Sequence, residues 1–405
     1  LCLALTLASA CNRLIVQSNE SPIVVLVSLD GFRWDSAQTT DTPTLDRLAR
    51  EGMTAGALQP AFPPLTFPNH FSIATGVLPW RHGIVANRFP DADRERWYSL
   101  RDRAMVEDGR WYRSEPVWVT AEKAGLPTAA YYFVGTEADI GGIRPTHWRS
   151  FDADVPDRDR VEQVLEWIAQ PPETRPRMVT LYFEGVDDAG HRFGPDAPET
   201  RQAIRQADAQ IGALMNGIEA LPHGRQVSLV VVSDHGQSKY RPVEAFILER
   251  WVDMEGIEVV SGGPYAWLYM DGDHDRALTM RGQINRNWDC GRAYLPSELP
   301  AEWKAGTNDR YPDLFVQADG GCEVQARESD RKWRSAGDHG WPPDQPEMRG
   351  IFYAKGPRIP PGSRMDLAHV TDVYPMILDL LGLDAPGPID GDPAVLAGQL
   401  LPGRP

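Results

Sequence analysis

The chain alternates between short apolar runs and amphipathic stretches. Residues 23–29 (IVVLVSL) form a continuous, largely β-branched run, which is typical of a strand buried on both faces of a parallel sheet. The stretch 42–52 (TPTLDRLAREG) predicts a helix, because Pro43 suits the first helical position and Gly52 suits a helix end. Together these two segments predict a β–α unit.

The same alternation recurs along the chain. The predicted elements, in order, are a helix over 161–168, a strand over 178–187, a helix over 199–220, a strand over 226–234, a strand over 350–357 and a helix over 372–382. Strands that alternate with helices predict the α/β class, with a mostly parallel sheet and helices on both of its faces.

Residues 240–345 depart from this alternation. They are rich in Trp, Gly, Asp and Pro and contain only short possible strands. We interpret them as a smaller subdomain inserted into a single domain that spans residues 21–396. A leader remnant and linker (1–20) would precede this domain, and a short tail (397–405) would follow it.

The amino-terminal residues resemble a targeting segment. LCLALTLASA has the apolar run and the small residues of a secretory leader. The next residue is Cys11, and Ala8-Ser9-Ala10-Cys11 resembles a bacterial lipoprotein signal in which this cysteine is acylated. We therefore expect an exported protein, in the bacterial periplasm or held at the cell envelope by a lipid on Cys11.

The net charge of the chain limits the kinds of partner that it can bind. The 41 Lys and Arg against 57 Asp and Glu give a net charge of −16. A protein that binds duplex nucleic acid needs basic patches, so this composition argues against that role. An anionic small-molecule substrate would need a local source of positive charge, such as a metal ion.

Two cysteines remain in the body of the chain, Cys290 and Cys322. Neither lies in a CxxC spacing, so a structural zinc site built on cysteine is not supported. In an exported protein the two could form one disulfide. Two separate thiols are an equally open alternative.

Candidate metal ligands lie where predicted strands end. Asp30, Asp187 and Asp234 each close an apolar run, and the carboxyl ends of parallel strands form the ligand crevice of an open α/β sheet. Imidazoles accompany this pattern at His191, His235 and His339. A single Asp–Gly or His–Gly pair is more often a turn. Three carboxylates and three imidazoles, however, suit two zinc ions with three protein ligands each.

Thr66 is the candidate nucleophile. It precedes Phe67-Pro68 and the amphipathic stretch FSIATG, so its hydroxyl is expected at a helix start, where phosphate oxygens are attracted. A threonine hydroxyl is a weak nucleophile unless a base or a metal activates it. The alternative is that Thr66 is an ordinary helix cap.

These motifs resemble the nucleotide pyrophosphatase/phosphodiesterase family of the alkaline phosphatase superfamily, and we expect a bacterial member of it. The matching motifs are LDGFR (29–33), TPTLDRLAREG (42–52), LTFPNHFSIATGVLPWRHGIVAN (65–87), YFEGVDDAGHRFGP (182–195), VVVSDHG (230–236) and GDHGW (337–341). The resemblance implies an alkaline-phosphatase-like core and hydrolysis of phosphodiester or pyrophosphate bonds of nucleotides through a phosphothreonine intermediate, with release of a nucleoside monophosphate.

The resemblance also implies roles for individual residues. One zinc ion would be held by Asp187, His191 and His339, and a second by Asp30, Asp234, His235 and the oxygen of the nucleophile, Thr66. Asn87 and the Phe67 backbone N–H would bind a phosphate oxygen. Phe67 and Phe151 would flank a nucleobase, with Tyr182 on the same side. His70 would be a structural residue beneath the site. Residue 151 is Tyr in most of the family, and Asp188 beside Asp187 is a second departure.

Two other functions stay open at this point. Family members also cleave lysophospholipid or glycerophosphodiester head groups on the same kind of metal site. From a different class, the chain could be a nucleotide-binding lipoprotein without activity. Loss of a metal ligand would favour that reading, and the motifs retain all six.

Overall fold

The computed structural model describes residues 22–332 and 335–402. Its strands, in chain order, are β1 (Ile23–Leu29), β2 (Met53–Gln59), β3 (Arg88–Pro90), β4 (Trp97–Ser99), β5 (Thr128–Tyr131), β6 (His147–Arg149), β7 (Met178–Phe183), β8 (Val227–Val232), β9 (Ser238–Lys239), β10 (Phe246–Ile247), β11 (Glu258–Ser261), β12 (Tyr265–Tyr269), β13 (Gly291–Tyr294), β14 (Leu314–Ala318), β15 (Val324–Gln325), β16 (Gly337–Asp338), β17 (Gly350–Lys355), β18 (Ser363–Met365) and β19 (Ala368–His369).

Its α-helices are α1 (Ser36–Thr39), α2 (Pro43–Glu51), α3 (Thr66–Thr75), α4 (Pro79–His82), α5 (Arg103–Val106), α6 (Val117–Lys123), α7 (Asp157–Ile168), α8 (Gly185–Phe193), α9 (Pro198–Ala220), α10 (His274–Asn287) and α11 (Val373–Leu381). In this described part of the chain, no helix combines the length and the apolarity that crossing a membrane requires. The predicted leader with Cys11, and the last three residues of the predicted tail, lie outside the described residues.

One central sheet organises the molecule. Its strand order is β18–β2–β17–β8–β1–β7–β5–β6, and β19 also pairs with β2. Strand β1 is parallel to both of its neighbours, β7 and β8, and all seven of its residues are buried. Parallel pairing continues from β7 through β5 to β6. The predicted α/β class with a mostly parallel sheet is therefore confirmed.

Helices cover both faces of this sheet. Alternate residues of β1 pack into different apolar clusters, with Val24 and Leu26 on one face and Val25 and Val27 on the other. The first face is covered by α3, α6 and α11, and the second by α2, α7 and α9. A strand covered on both faces is mostly apolar, which explains the run that precedes Asp30. The one polar residue of β1, Ser28, is hydrogen-bonded to His70.

A smaller antiparallel sheet, in the order β11–β12–β14–β13, lies within the predicted insertion. Helix α10 packs against it, and the two share an apolar cluster separate from those of the central sheet. A disulfide joins Cys290, just before β13, to Cys322, which follows β14. Of the two alternatives left open for these cysteines, the structure therefore has the disulfide. The limits of the domain, insertion and tail stay predictions.

Several predicted strands end earlier in the structure than expected, and the difference is largest at β7. Strand β7 ends at Phe183, and Asp187 lies in the first turn of α8 instead of at a strand end. Only three residues separate Phe183 from Asp187, which is too short a stretch to reveal a helical period. As a result, Asp187 and His191 are four residues apart on one helix and lie on the same face of it.

Candidate metal centre and active-site cleft

The predicted metal ligands converge at one edge of the central sheet. Asp30 directly follows β1, and Asp234 lies two residues after β8, which is the neighbour of β1. Helix α8, with Asp187, follows β7 on the other side of β1. Three adjacent parallel strands thus direct their carboxyl ends to the same crevice, as expected for an open α/β sheet.

Gly31 makes this convergence possible. Its φ of +66° is in the left-handed region, which favours glycine. A Cβ atom at this position would come within 2.6 Å of the Asp187 carboxylate. The turn after β1 can therefore approach α8 closely only because residue 31 has no side chain.

The first group of ligands surrounds Nε2 of His235. This nitrogen lies 3.1 Å from Oδ2 of Asp234, 3.5 Å from Oδ1 of Asp30 and 3.4 Å from the Thr66 hydroxyl oxygen. Ligand atoms about 2.0 Å from a tetrahedral zinc ion lie about 3.3 Å from one another. The three separations from Nε2 of His235 are close to that edge length, so these four side chains are near enough to share one cation.

Asp187, His191 and His339 form the second group. Their potential ligand atoms all lie within 4.8 Å of one another. Nε2 of His191 is 3.3 Å from Oδ2 of Asp187, and Nε2 of His339 is 3.9 Å from Oδ1. The rings of His235 and His339 stack with centroids 3.7 Å apart, which places the two groups side by side.

The three imidazoles are oriented in the same way. In each, Nδ1 lies against a backbone carbonyl oxygen: Gly337 for His191 (3.0 Å), Gly236 for His235 (3.1 Å) and Pro64 for His339 (2.9 Å). Donation from Nδ1 leaves Nε2 with its lone pair, which is the usual arrangement of histidine ligands to a metal.

His70 differs from these three residues. Its Nδ1 lies 2.8 Å from the Thr66 carbonyl oxygen, so it donates there, and its Nε2 lies 2.8 Å from the Ser28 hydroxyl. Both ring nitrogens are therefore engaged by the protein, although His70 clusters with Asp30 and Asp234. The interpretation of His70 as a structural residue beneath the site agrees with these bonds.

The buried carboxylates fit a cation. Oδ1 of Asp30 and Oδ2 of Asp234 have no hydrogen-bond partner among the described residues. Burial, with the charges of Asp234 and Asp187, raises the pKa of Asp30 well above its ordinary value, and burial also raises the pKa of Asp234. Burial lowers the pKa of His235, so this ring stays neutral. Unpartnered carboxylate oxygens beside a neutral imidazole suit a divalent cation, which would keep the carboxylates charged.

Thr66 is the first residue of α3, and the N-cap position belongs to Leu65. The Thr66 hydroxyl is thus not used as a helix cap, and it is directed to the first ligand group. The two groups predicted to bind phosphate lie next to it. The Phe67 N–H donates to Oδ1 of Asn87 at 3.1 Å, which leaves the Asn87 amide hydrogens as further donors.

A cleft of about 370 Å³ opens above the ligands. It is lined by Asp30, Thr66, Phe67, Asn87, Phe151, Tyr182, Asp187, His191 and His339, together with further residues. Asp234 and His235 lie beneath its floor and are fully buried. The structure therefore brings every predicted site residue to one place.

Tyr182 has a contact that the sequence did not reveal. Its ring lies 6.2 Å from that of Phe151, in the predicted aromatic wall, while its hydroxyl donates to Oδ2 of Asp30 at 2.6 Å. The residue therefore links the wall of the cleft to a metal ligand. Tyr182 lies within the largely apolar run of β7, and nothing in that run indicates this contact.

The cleft is also lined by charged residues that the sequence analysis did not identify, namely Arg101, Arg103, Glu137 and Glu184. Arg103 pairs with Glu137, and the buried Arg160 pairs with Glu184 at 2.6 Å. Of these residues only Glu184 lies in a recognised motif, that of residues 182–195, and nothing in that motif indicates its pairing with Arg160.

Known proteins resemble the chain across most of its length. The family model for type I phosphodiesterase / nucleotide pyrophosphatase matches residues 24–342. Human ectonucleotide pyrophosphatase/phosphodiesterase family member 1 is 32% identical over 382 residues, which cover 92% of this chain and 41% of the human protein. The chain thus spans about two fifths of the length of this relative.

Solved structures also resemble the fold of this chain. Murine ectonucleotide pyrophosphatase/phosphodiesterase 5 superimposes with a TM-score of 0.87 at 28% identity, covering 94% of this chain and 100% of the murine chain. An inactive variant of that protein, solved in complex with AMP, superimposes with the same score, identity and coverage. These matches confirm the predicted alkaline-phosphatase-like core, and the chain belongs to the type I phosphodiesterase/nucleotide pyrophosphatase family.

Proposed function

We propose that this protein is a zinc-dependent phosphodiesterase that hydrolyses phosphodiester and pyrophosphate bonds of nucleotides and releases a nucleoside monophosphate. The observation that carries this proposal is the position of the Thr66 hydroxyl. It lies 3.4 Å from Nε2 of His235, beside the candidate cation ligands and in a cleft that is also lined by Phe67, Phe151 and Tyr182. A threonine that serves only as a helix cap would not need to lie beside candidate metal ligands.

The proposed cofactors are two zinc ions for each chain. Asp187, His191 and His339 would hold one, and Asp30, Asp234, His235 and the Thr66 oxygen would hold the other. When bound, two such ions lower the pKa of the nucleophile and stabilise the charges of an in-line displacement. The choice of zinc follows from the types of ligand, since carboxylate and imidazole groups suit it.

Thr66 is the proposed nucleophile. A bond forms from its Oγ to phosphorus, with loss of the hydroxyl proton to solvent, as the bond from phosphorus to the leaving group breaks. The product is a phosphothreonine intermediate that retains the nucleoside. Water then attacks phosphorus, the bond from phosphorus to Oγ breaks, Thr66 regains a proton and the nucleoside monophosphate is released. Because the Phe67 N–H donates to Oδ1 of Asn87, we propose that the Asn87 amide hydrogens orient a non-bridging phosphate oxygen during both steps and that the Phe67 N–H holds this amide in place.

Two properties of the related murine protein support this mechanism. The protein solved with AMP carries a threonine-to-alanine substitution and is inactive, which is the behaviour that the proposal gives to Thr66. AMP is also a nucleoside monophosphate, the kind of product expected here. The proposed base-binding residues are Phe67 and Phe151, with Tyr182 beside them.

The aromatic wall favours nucleotides over lipid head groups. A nucleobase stacks on an aromatic ring with a gain of roughly 1–3 kcal/mol, which a small polar head group does not obtain. Hydrolysis of lysophospholipid or glycerophosphodiester head groups is the alternative outcome of a substrate panel.

The experiment compares two aryl esters with the same leaving group, p-nitrophenyl thymidine 5′-phosphate and p-nitrophenyl phosphate, on protein of measured zinc content. We expect kcat/KM to be higher for the nucleotide diester, because it can use the aromatic wall. Thr66→Ala should lose turnover by orders of magnitude and remain folded, while Thr66→Ser should keep substantial activity. Equal efficiency on the monoester, or an active Thr66→Ala protein, would contradict the proposal.

We also propose that the protein is exported and that Cys11 carries a lipid in a bacterial envelope. The support for export is the leader-like sequence and the ecto-enzyme name of the human relative. Mass measurement of the amino-terminal peptide of protein purified from its native cells tests the lipid. An unmodified Cys11 in mature protein, or a chain that keeps residues 1–10, would contradict it.

A further inference from the structure

Gln237 makes an unusual contact with the second ligand group. It lies three residues after Asp234 and is 1% exposed. Its amide nitrogen, Nε2, donates to the backbone carbonyl oxygen of Asp187 at 3.0 Å and also to Oδ1 of the same residue. An amide group has two hydrogens, so one hydrogen is available for each of these acceptors. Both amide hydrogens of Gln237 therefore bond to Asp187.

A glycine makes room for this amide. Gly190 lies three residues after Asp187 on α8, and a Cβ atom there would be 1.5 Å from Oε1 of Gln237. No side chain can occupy position 190 while Gln237 keeps its place. The contact therefore depends on two positions, one after β8 and one on α8, and it joins the two segments that carry the two ligand groups.

The bond to Oδ1 has a directional consequence. It orients the carboxylate of Asp187, with Oδ1 toward the Gln237 amide and Oδ2 3.3 Å from Nε2 of His191. The bond to the backbone carbonyl fixes the main chain of Asp187 at the same time. Hydrogen-bonding partners of metal ligands orient those ligands, and their removal typically weakens metal binding about 10- to 100-fold.

We propose that Gln237 is a positioning residue that fixes Asp187 so that Oδ2, and not Oδ1, binds the cation shared with His191 and His339. This inference rests on the proposed function, since it takes Asp187 to be a zinc ligand. It adds a requirement that the ligand set alone does not contain: the site needs an amide donor at 237 and a glycine at 190.

The test measures zinc affinity directly, on the full chain. Metal-free wild type, Gln237→Met and Gly190→Ala are titrated with Zn²⁺ against a chromophoric chelator, which resolves the two binding steps. Methionine keeps the length of the side chain and removes the donors, and the methyl group of alanine displaces the amide. We expect both variants to weaken one of the two steps by about 10- to 100-fold and to leave the other step unchanged.

A matched control separates this role from a general effect on stability. Gln59 is another buried glutamine, and its amide bonds to Pro343 and Arg349 instead of a cation ligand. Gln59→Met should lower the unfolding temperature and leave both zinc affinities as in the wild type. The inference is overturned if Gln237→Met binds both ions with wild-type affinity, or if it weakens both steps equally. Failure of the proposed function would show in the wild type itself, as fewer than two ions bound or no hydrolysis when fully loaded.

Discussion

Removing the Phe151 ring should weaken catalysis on nucleotides selectively. The ring is 41% exposed at the cleft, and its contacts are edge-on to Tyr132 (5.0 Å between centroids) and Tyr182 (6.2 Å). Base–aromatic stacking contributes about 1–3 kcal/mol, so Phe151→Ala should lower kcat/KM for a nucleotide ester by about 5- to 150-fold. Edge-on contacts of a half-exposed ring are worth about 1 kcal/mol, so the fold should persist.

The assay compares p-nitrophenyl thymidine 5′-phosphate with methyl p-nitrophenyl phosphate, a diester that has the same leaving group and no base. Only the nucleotide ester should lose efficiency, because only it reaches the ring. Phe193→Ala is the matched control, since Phe193 is 42% exposed and is not among the described residues that line the cleft. A parallel fall for both esters, or no fall for the nucleotide ester, would refute the stacking role of Phe151.

Three further predictions concern the ligands and the disulfide. Because burial raises the pKa of Asp30, the metal-free protein should lose stability as pH rises from the ordinary carboxyl value of 3.8 through that raised pKa. Asp30→Asn should therefore unfold at a higher temperature than wild type at pH 7 after chelation, and a lower temperature would contradict this. Tyr182→Phe removes a bond to a charged group worth about 1.5–3 kcal/mol, so zinc binding at the Asp30 site should weaken by at least about tenfold; an unchanged affinity in the chelator titration would contradict it. Cys290→Ser opens a loop closed across a separation of 32 residues and should cost about 3–4 kcal/mol in urea unfolding, whereas equal stability would show that the bond with Cys322 contributes nothing.

Much of the fold follows from periodicity. The predicted strand over 23–29 coincides with β1, because a strand buried on both faces is apolar at nearly every position. The helix predicted over 199–220 matches α9 within a residue at its start. Strand direction, in contrast, has no signature in such a pattern. The segment 350–357 was predicted as a strand, but its position between β8 and β2, antiparallel to both, depends on how the chain returns across the sheet.

The ligand set was predictable for a different reason. Asp30 directly follows an apolar strand and Asp234 lies two residues after another, so strand ends marked them, and His191 is four residues from Asp187. The contacts that hold the ligands were not predictable. The Tyr182 hydroxyl on Asp30 joins residues 152 positions apart, and Gln237 lies 50 positions from Asp187. Local patterns carry no information on such pairs, which form only when neighbouring strands bring their ends together.

The central claim, that Thr66 forms a covalent bond to phosphorus, can be tested by mass spectrometry of the protein quenched in acid during turnover. Zinc-loaded wild type is mixed with a nucleotide aryl ester, quenched within milliseconds, digested and compared with Thr66→Ala treated in the same way. We predict that the peptide containing Thr66 gains the mass of a nucleoside monophosphate minus water, that fragmentation places it on Thr66, and that the alanine variant shows no adduct. Burst release of p-nitrophenol with an unmodified Thr66 peptide, or an adduct on another residue, would contradict the account.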